Sequence, residues 1–321
     1  MYSESEIAEA VRFNRRLERM PRFRAPPPLT RAAIQSAIAL SAGLSLKRPS
    51  GVRVSSRRIA HQGRHADLRL LLPSGRPRGL HIDFHGGGWT IGRASMGDAI
   101  NSRIAASCDL AVLSVDYPLL PRTTLSEMIE TCATAADWAL SVAAQEFGTR
   151  SVTMGGESAG AHLALCSALR LRERRTDFHH LAGLVLFYGP YDLAGSPSAR
   201  NAGPDTLVLD GPRLMSGLQR LTPGEGEASR RHPSVSPLYA DLRGLPSVML
   251  IVGDKDPLLD DTLGLAQGLR SIGGEADLIV APEAPHAFNR FPTRMAERTN
   301  ARVRDWLSAR HADRVDSSAG S

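Results

Sequence analysis

Gly155-Gly156-Glu157-Ser158-Ala159-Gly160 is the segment of the sequence that is most informative about the fold. It follows a strand-like run at 151–154 and leads into a helix-like run at 159–172. Glycines stand two residues before and two residues after Ser158, where a tight strand-to-helix turn leaves no room for side chains. An ordinary glycine-rich turn at a sheet edge is the alternative interpretation. The strand before and the helix after favour a turn that lifts the serine hydroxyl above the end of a sheet.

Strand-like and helix-like runs alternate on both sides of this turn. The strand-like runs lie at 52–60, 66–72, 79–84, 110–115, 151–154, 182–188, 247–252 and 276–281. The helix-like runs lie at 124–145, 159–172, 258–271 and 293–309. Strands separated by helices predict parallel pairing, whereas the first two runs, with no helix between them, predict an antiparallel hairpin at the sheet edge. The pattern predicts an α/β fold with a mostly parallel, eight-stranded sheet.

Two segments do not follow this alternation. Residues 1–45 contain an arginine-rich amphipathic helix and, after the prolines at 26–28, a second helix from Thr30 to about Gly43. A basic amphipathic helix lies either on an anionic membrane or on its own protein, and we favour packing on the same protein. Residues 190–237 are rich in Gly, Pro and Ser. We interpret them as an insertion that covers a functional site.

The composition narrows the class of protein. The 321 residues carry a formal charge of +6, but the arginines are scattered and only 5% of the residues are aromatic, so we expect no nucleic-acid partner. Cys108, Cys132 and Cys166 are too far apart for a CxxC pair and suit buried thiols in a reducing compartment. No apolar signal core or membrane-length apolar run is present. The expectation is a cytoplasmic protein without stable membrane insertion.

A serine nucleophile needs a base, and the base needs an orienting carboxylate. Asp254 and Asp256 follow the strand at 247–252, and His286 follows the next strand. Carboxyl ends of parallel strands meet at one edge of the sheet, the edge at which Ser158 is expected. His286 is preferred because it alone follows the last strand, and both aspartates remain candidates for the acid. The other histidines near the motifs are His81, His85 and His162.

A second glycine run, His85-Gly86-Gly87-Gly88-Trp89, follows the strand at 79–84. Acyl transfer develops negative charge on an oxygen, and backbone N–H groups stabilise it when nothing blocks their approach. Three consecutive glycines allow neighbouring N–H groups to turn toward one point. A phosphate-binding loop is the competing interpretation, but the lysine of a P-loop and the spacing of a dinucleotide site are both absent. With Ser158 downstream, an oxyanion hole is the better hypothesis, and the N–H of Ala159 is a further donor.

Together these motifs resemble the hormone-sensitive lipase-like esterases of the α/β-hydrolase superfamily. The matching segments are 85–89 (His-Gly-Gly-Gly-Trp), 156–160 (Gly-Glu-Ser-Ala-Gly), 256–260 (Asp-Pro-Leu-Leu-Asp), 285–288 (Pro-His-Ala-Phe) and 236–240 (Ser-Pro-Leu-Tyr-Ala). The resemblance implies an α/β-hydrolase fold with a mainly helical cap, and it selects Asp256 over Asp254. Glu157 departs from the family, which usually has aspartate there, and Ala161 stands where a second glycine is usual.

Residue by residue, the resemblance implies a serine carboxylesterase acting on short-chain acyl esters, aryl esters included. Ser158 would attack the ester carbonyl, His286 would transfer the proton, and Asp256 would hold the imidazole. His85 is expected to brace the glycine loop. The implied oxyanion donors are the N–H groups of Gly87, Gly88 and Ala159.

The resemblance also implies a division of the chain and a set of partners. The catalytic core would be 46–189 with 238–321, and the cap would be 1–45 with 190–237. A small-molecule ester is the expected partner, without metal or organic cofactor, and a homodimer through the strand at 276–281 is a further expectation. Deacetylase, amidase and lactonase activities remain alternatives because the same triad cleaves each bond. A non-catalytic ligand-binding homologue is disfavoured, since all three triad residues are present.

Overall fold

The computed structural model describes residues 1–41 and 51–312. The expected helix end near Gly43, the expected boundary between residues 45 and 46, and residues 313–321 of the expected core lie outside the described residues. The second N-terminal helix begins at Pro28, two residues before the expected N-cap at Thr30. Proline suits the first turn of a helix because its missing N–H has no partner to lose there.

One mixed sheet forms the centre of the described chain. Its strands are β1 (Arg53–His61), β2 (Arg64–Leu72), β3 (Gly79–Phe84), β4 (Leu110–Asp116), β5 (Val152–Glu157), β6 (Leu181–Phe187), β7 (Val248–Gly253) and β8 (Ala276–Ala281). Their order is β1-β2-β4-β3-β5-β6-β7-β8. The β1–β2 hairpin and the β2–β4 pair are antiparallel, and the other pairs are parallel. The predicted eight-stranded, mostly parallel sheet with an edge hairpin is confirmed.

Helices cover both faces of this sheet. They are α1 (Glu4–Leu17), α2 (Pro28–Ser41), α3 (Asp98–Cys108), α4 (Leu125–Phe147), α5 (Ala159–Arg174), α6 (Pro197–Arg200), α7 (Gly211–Gln219), α8 (Glu227–Arg230), α9 (Leu259–Ser271) and α10 (Arg294–Ala312). One apolar core includes side chains of α4, α5 and α9, and a second includes side chains of α3 and α10. The central strands β5, β6 and β7 are buried along their whole length, whereas β8 alternates, as expected for an edge strand.

Helix α3 was not predicted, because its buried face is partly polar. Asn101 is 2% exposed and donates through Nδ2 to Asp83 Oδ2 at 2.7 Å and to Ser114 Oγ at 2.8 Å. Ser102 is also buried. A search for apolar residues at helical spacing does not detect a helix that places amide and hydroxyl groups against the sheet.

Helix α1 packs on the same protein, as the sequence predicted. Glu6 pairs with Arg298 of α10 at 2.6 Å, and Glu9 pairs with Arg294 at 3.0 Å. Ala10 and Leu17 of α1 are buried, so its apolar side faces protein. Within the described residues, no helix is both long enough and apolar enough to cross a membrane.

The N-terminal segment also reaches the insertion between β6 and β7. The N–H of Phe23 donates to the carbonyl of Val208 at 2.5 Å, and the N–H of Asp210 donates to the carbonyl of Phe23 at 2.9 Å. These bonds form a short parallel bridge between Phe23 and Leu209. Two segments far apart in sequence therefore meet on one side of the sheet, above the carboxyl ends of its strands.

Candidate active site

The serine turn between β5 and α5 is as tight as the sequence predicted. Ser158 has φ of 54° and ψ of −120°, a conformation that a residue with a side chain keeps only when its surroundings enforce it. A methyl group built on Gly160 would lie 1.9 Å from the carbonyl oxygen of Phe84, and one built on Gly156 would lie 2.6 Å from that oxygen. The turn therefore packs backbone to backbone against the end of β3, and this contact fixes the serine above the sheet.

A chain of hydrogen bonds links Ser158 to His286 and His286 to Asp256, the two other side chains predicted for the site. His286 Nε2 lies 3.0 Å from Ser158 Oγ, and His286 Nδ1 lies 2.8 Å from Asp256 Oδ2. His286 is 4% exposed and Asp256 is 3% exposed. With the Nδ1 proton donated to the carboxylate, Nε2 is left to accept the serine hydroxyl proton. The arrangement can raise the nucleophilicity of a serine and shuttle its proton.

The structure separates the two aspartates that follow β7. Asp256 faces the imidazole, and its other oxygen accepts the N–H of Leu258 at 2.9 Å, which closes a turn before α9. Asp254 is exposed, and its backbone N–H donates to the carbonyl of Ala281. Of the two carboxylates, Asp256 alone contacts His286.

The glycine run after β3 forms a loop beside the serine. Gly87 and Gly88 have φ of 125° and 57°, conformations that favour glycine. A methyl group on Gly87 would lie 2.0 Å from the carbonyl oxygen of Ile91, so a larger residue would displace the loop. In the described parts of the chain, the backbone N–H groups of Gly87, Gly88 and Ala159 donate to no carbonyl. These donors remain available to an oxygen of a bound molecule.

His85 supports this loop from a buried position. Its Nδ1 lies 2.7 Å from the carbonyl of Gly86, and its ring stacks on Tyr117 with centroids 4.2 Å apart. The Tyr117 hydroxyl donates to the carbonyl of His85 at 2.6 Å. Burial lowers the pKa of His85 to about 4, so the ring is neutral near pH 7 and serves as a packed support.

The other histidines near the motifs belong to the core. Burial lowers the pKa of His81 and of His162 to about 4 in each case. His162 lies on α5, with Nε2 2.7 Å from the carbonyl of Val235 in the insertion. Among residues 1–41 and 51–312, no group of three or more His, Cys, Asp or Glu side chains is placed to hold a metal ion.

A cleft of about 290 Å³ opens above the serine. Its floor includes Ser158, His286 and the glycine loop, and its wall includes Phe23 from the N-terminal segment and Leu214 from α7. The lining is mostly apolar, as in small-molecule sites. A methyl group on Gly88 would lie 3.0 Å from the Phe23 ring, so the N-terminal segment touches the loop that carries the free N–H groups.

Sequence patterns did not identify a buried polar group behind the serine and the histidine. Tyr188, Asn289 and Arg290 join Glu157 there, and the ring of Tyr188 lies 4.6 Å from that of His286. Tyr188 is 1% exposed and Asn289 is 2% exposed. The sequence contained one signal for this group, which was closeness to the predicted site residues. Asn289 and Arg290 stand three and four residues after His286, and Glu157 directly precedes Ser158.

Known proteins share this architecture. A family model described as the alpha/beta hydrolase fold matches residues 81–290. An esterase from Pyrobaculum calidifontis is similar at 25% sequence identity, with a TM-score of 0.81 over 92% of this chain and 97% of that one. An esterase from the bacterial hormone-sensitive lipase family is similar at 25% identity, with a TM-score of 0.77 over 97% of this chain and 100% of that one.

A third solved structure, an arylesterase, agrees in fold. It is 24% identical, with a TM-score of 0.76 over 97% of this chain and 100% of its own. The coverage of this chain in all three comparisons extends beyond the matched family region, residues 81–290.

Proposed function

The chain belongs to the α/β-hydrolase family, and from this premise we propose that it is a serine carboxylesterase that hydrolyses short-chain acyl esters through an acyl-enzyme on Ser158. The membership confirms the family expected from the motifs. One observation carries the proposal: the hydrogen-bonded chain from Ser158 through His286 to Asp256 lies at the floor of an apolar cleft. The esterases among the similar structures support this assignment.

The proposed reaction has two halves, acylation of Ser158 by the ester and deacylation by water, and the triad acts in both. Ser158 Oγ forms a bond to the ester carbonyl carbon while His286 Nε2 takes the hydroxyl proton. The tetrahedral intermediate then expels the alcohol, which leaves with the proton from His286. A water repeats the sequence on the acyl-enzyme and releases the carboxylic acid. Asp256 keeps the Nδ1 proton in place and stabilises the imidazolium at both stages.

Backbone groups are proposed to carry the negative charge of the intermediate. The N–H groups of Gly87, Gly88 and Ala159 border the space beside Ser158, and the loop conformation is set before a substrate arrives. Ala159 opens the 16-residue helix α5, whose N-terminal end favours negative charge. Such donors need no reorganisation during the reaction, which is why they lower its barrier.

The substrate range is proposed to follow from a cap formed by residues 1–45 and 190–237 over a core of 46–189 and 238–321. The bridge between Phe23 and Leu209 joins the two cap segments, and both line the cleft. Each acyl methylene buried there contributes about 0.8 kcal/mol until the cleft is full. We therefore propose that acyl chains of about two to six carbons are preferred and that longer chains press against the cap.

The experiment that tests the function is a substrate panel on the purified protein. Esters of increasing acyl length, matched amides and lactones would be assayed beside the Ser158→Ala variant, and a serine-directed phosphonate would be mapped by mass spectrometry. We expect turnover of short esters and one adduct, on Ser158. An adduct elsewhere, or faster turnover of amides or lactones than of every ester, would contradict the proposal.

A further inference from the structure

We propose that Glu157 and Asn289 are positioning residues that hold the histidine loop against the serine turn. The inference rests on the proposed function, because it concerns how the same triad is aligned. Ser158 and His286 lie on separate loops, 128 residues apart, and the reaction depends on a contact of 3.0 Å between them. A displacement of about 1 Å at a catalytic group is enough to cost roughly 10²-fold in rate.

The segment before His286 is anchored to the loop that carries the catalytic aspartate. The N–H of Lys255 donates to the carbonyl of Ala284 at 3.1 Å, and the N–H of Asp254 donates to the carbonyl of Ala281 at 3.0 Å. A methyl group on Gly253 would lie 1.9 Å from the Ala284 oxygen, so the two loops are in close contact. These bonds fix His286 relative to Asp256, and they leave its position relative to Ser158 unspecified.

The segment after His286 is anchored to the serine turn by Glu157. One carboxylate oxygen accepts a hydrogen bond from Asn289 Nδ2 at 2.8 Å, and the other accepts a hydrogen bond from Arg290 Nε. The side chain of Glu157 is 12% exposed, so these charge-assisted bonds are strengthened by their surroundings. Because Glu157 directly precedes Ser158, its bonds connect the nucleophile's own backbone to the turn that follows the imidazole.

The carboxylate also fixes the direction of the hydrogen bonds that lead to Tyr188, whose ring lies beside the imidazole. An ionised carboxylate only accepts, so Asn289 presents its amide NH₂ to Glu157 and its oxygen to Tyr188. The Tyr188 hydroxyl then donates to Asn289 Oδ1, at 2.5 Å. The Tyr188 ring lies 4.6 Å from the ring of His286, at an angle of 58°. Glu157 thus supports one side of the imidazole through two intermediate side chains.

The length of Glu157 suits this arrangement. The family usually has aspartate at the position, and an aspartate is shorter by one methylene. In this chain the longer side chain reaches both Asn289 and Arg290 across the gap between the two loops. Arg290 in turn donates through its guanidinium to the carbonyl of Met96 at 3.0 Å, which ties the same turn to the segment that follows the glycine loop.

The test compares two variants with a matched control. Glu157→Gln keeps the shape of the side chain and removes its charge, and Asn289→Ala removes the link to Tyr188. Asp137→Asn is the control, because Asp137 of α4 is 10% exposed, pairs with Arg175 and does not line the cleft. For each variant, kcat, KM and Tm would be measured on a short ester, with the rate of phosphonate labelling at Ser158.

We expect Glu157→Gln to lower kcat about tenfold and Asn289→Ala to lower it about 10- to 100-fold, with KM within about twofold and labelling slowed in proportion. The control should lose a similar amount of Tm and keep its kcat. Equal kcat in all three proteins at matched losses of Tm would overturn the proposal. If Asn289→Ala does not fold, Tyr188→Phe removes only the hydroxyl, and an unchanged kcat there would also overturn it. A wild type that turns over no ester would instead contradict the proposed function.

Discussion

The serine turn and the bridge between Phe23 and Leu209 border the same cleft, but different forces hold them in place. At the turn, backbone packs on backbone so closely that a methyl group on Gly160 would lie 1.9 Å from a carbonyl oxygen. At the bridge, two backbone hydrogen bonds join segments from different parts of the chain, and Phe23 is only half-buried there. On the proposed function, the triad therefore belongs to the tightly packed core, whereas the cap that would select the substrate is joined by fewer contacts.

The largest effect should come from the core side, at the nucleophile itself. Ser158→Ala is expected to lower kcat on short esters on the order of 10⁶-fold, because the acyl-enzyme cannot form. Its Tm should stay within a few degrees of the wild type, since alanine fits the space of serine. Steady-state kinetics and thermal unfolding check this. Substantial residual turnover would show that the nucleophile is a different residue.

The next effect should separate two core carboxylates that are two residues apart. Asp256→Asn is expected to lower kcat about 10³- to 10⁴-fold, because the imidazole loses the partner that fixes its tautomer. Asp254→Asn is the matched control: its side chain is exposed and does not contact His286, so its kcat should change little. Kinetics of the two variants under identical conditions decide the matter, and a reversed order would disprove the assignment of the acid.

A smaller loss is expected from a change in the glycine loop. Gly87→Ala should lower kcat about 10²- to 10³-fold, the range typical of losing one oxyanion donor, because the new methyl group must move away from the Ile91 carbonyl. Gly63→Ala is the control, since Gly63 also has positive φ, at 73°, but its methyl group meets nothing within 4 Å. That variant should lose about 1–2 kcal/mol of stability and keep its kcat.

The smallest effect should come from the cap. Phe23→Ala is expected to leave kcat on an acetate ester within about threefold and to move the preferred acyl chain to greater length, since each extra buried methylene is worth roughly fourfold in kcat/KM. Phe13→Ala is the control, because Phe13 packs on Phe291, 5.0 Å away, and does not line the cleft. An unchanged chain-length profile in Phe23→Ala would show that the cap does not limit the acyl group.

The two regions also differ in how well the sequence predicted them. The serine turn, the glycine loop and the residues after β7 and β8 could be located because each follows a strand and uses residue types that its local geometry demands. Asn101 and helix α3 were missed because their buried face is polar, and hydrophobic periodicity does not register it. Phe23 was missed because its partner, Leu209, lies in the insertion and nothing in the local sequence marks the pairing.

The buried bonds of Glu157 were missed for a related reason. Its partners Asn289 and Arg290 are 132 and 133 residues away in sequence, and no fixed spacing links them to Glu157. Local sequence patterns predict which residues one turn requires. They do not predict which side chains from distant turns contact it. His85 could be assigned a supporting role because its neighbours in sequence, the glycines, are also its neighbours in space.

The contact of α1 with α10 has a consequence for how the protein is made. Glu6 and Arg298 are 292 residues apart, so α1 can dock on α10 only after all of the chain between them has been made. Contacts of such long range form late, because closing the intervening chain costs entropy before the contact repays it. The sheet and the serine turn are expected to assemble before α1 docks on α10. The N-terminal helix is therefore expected to be among the last elements to reach its final position.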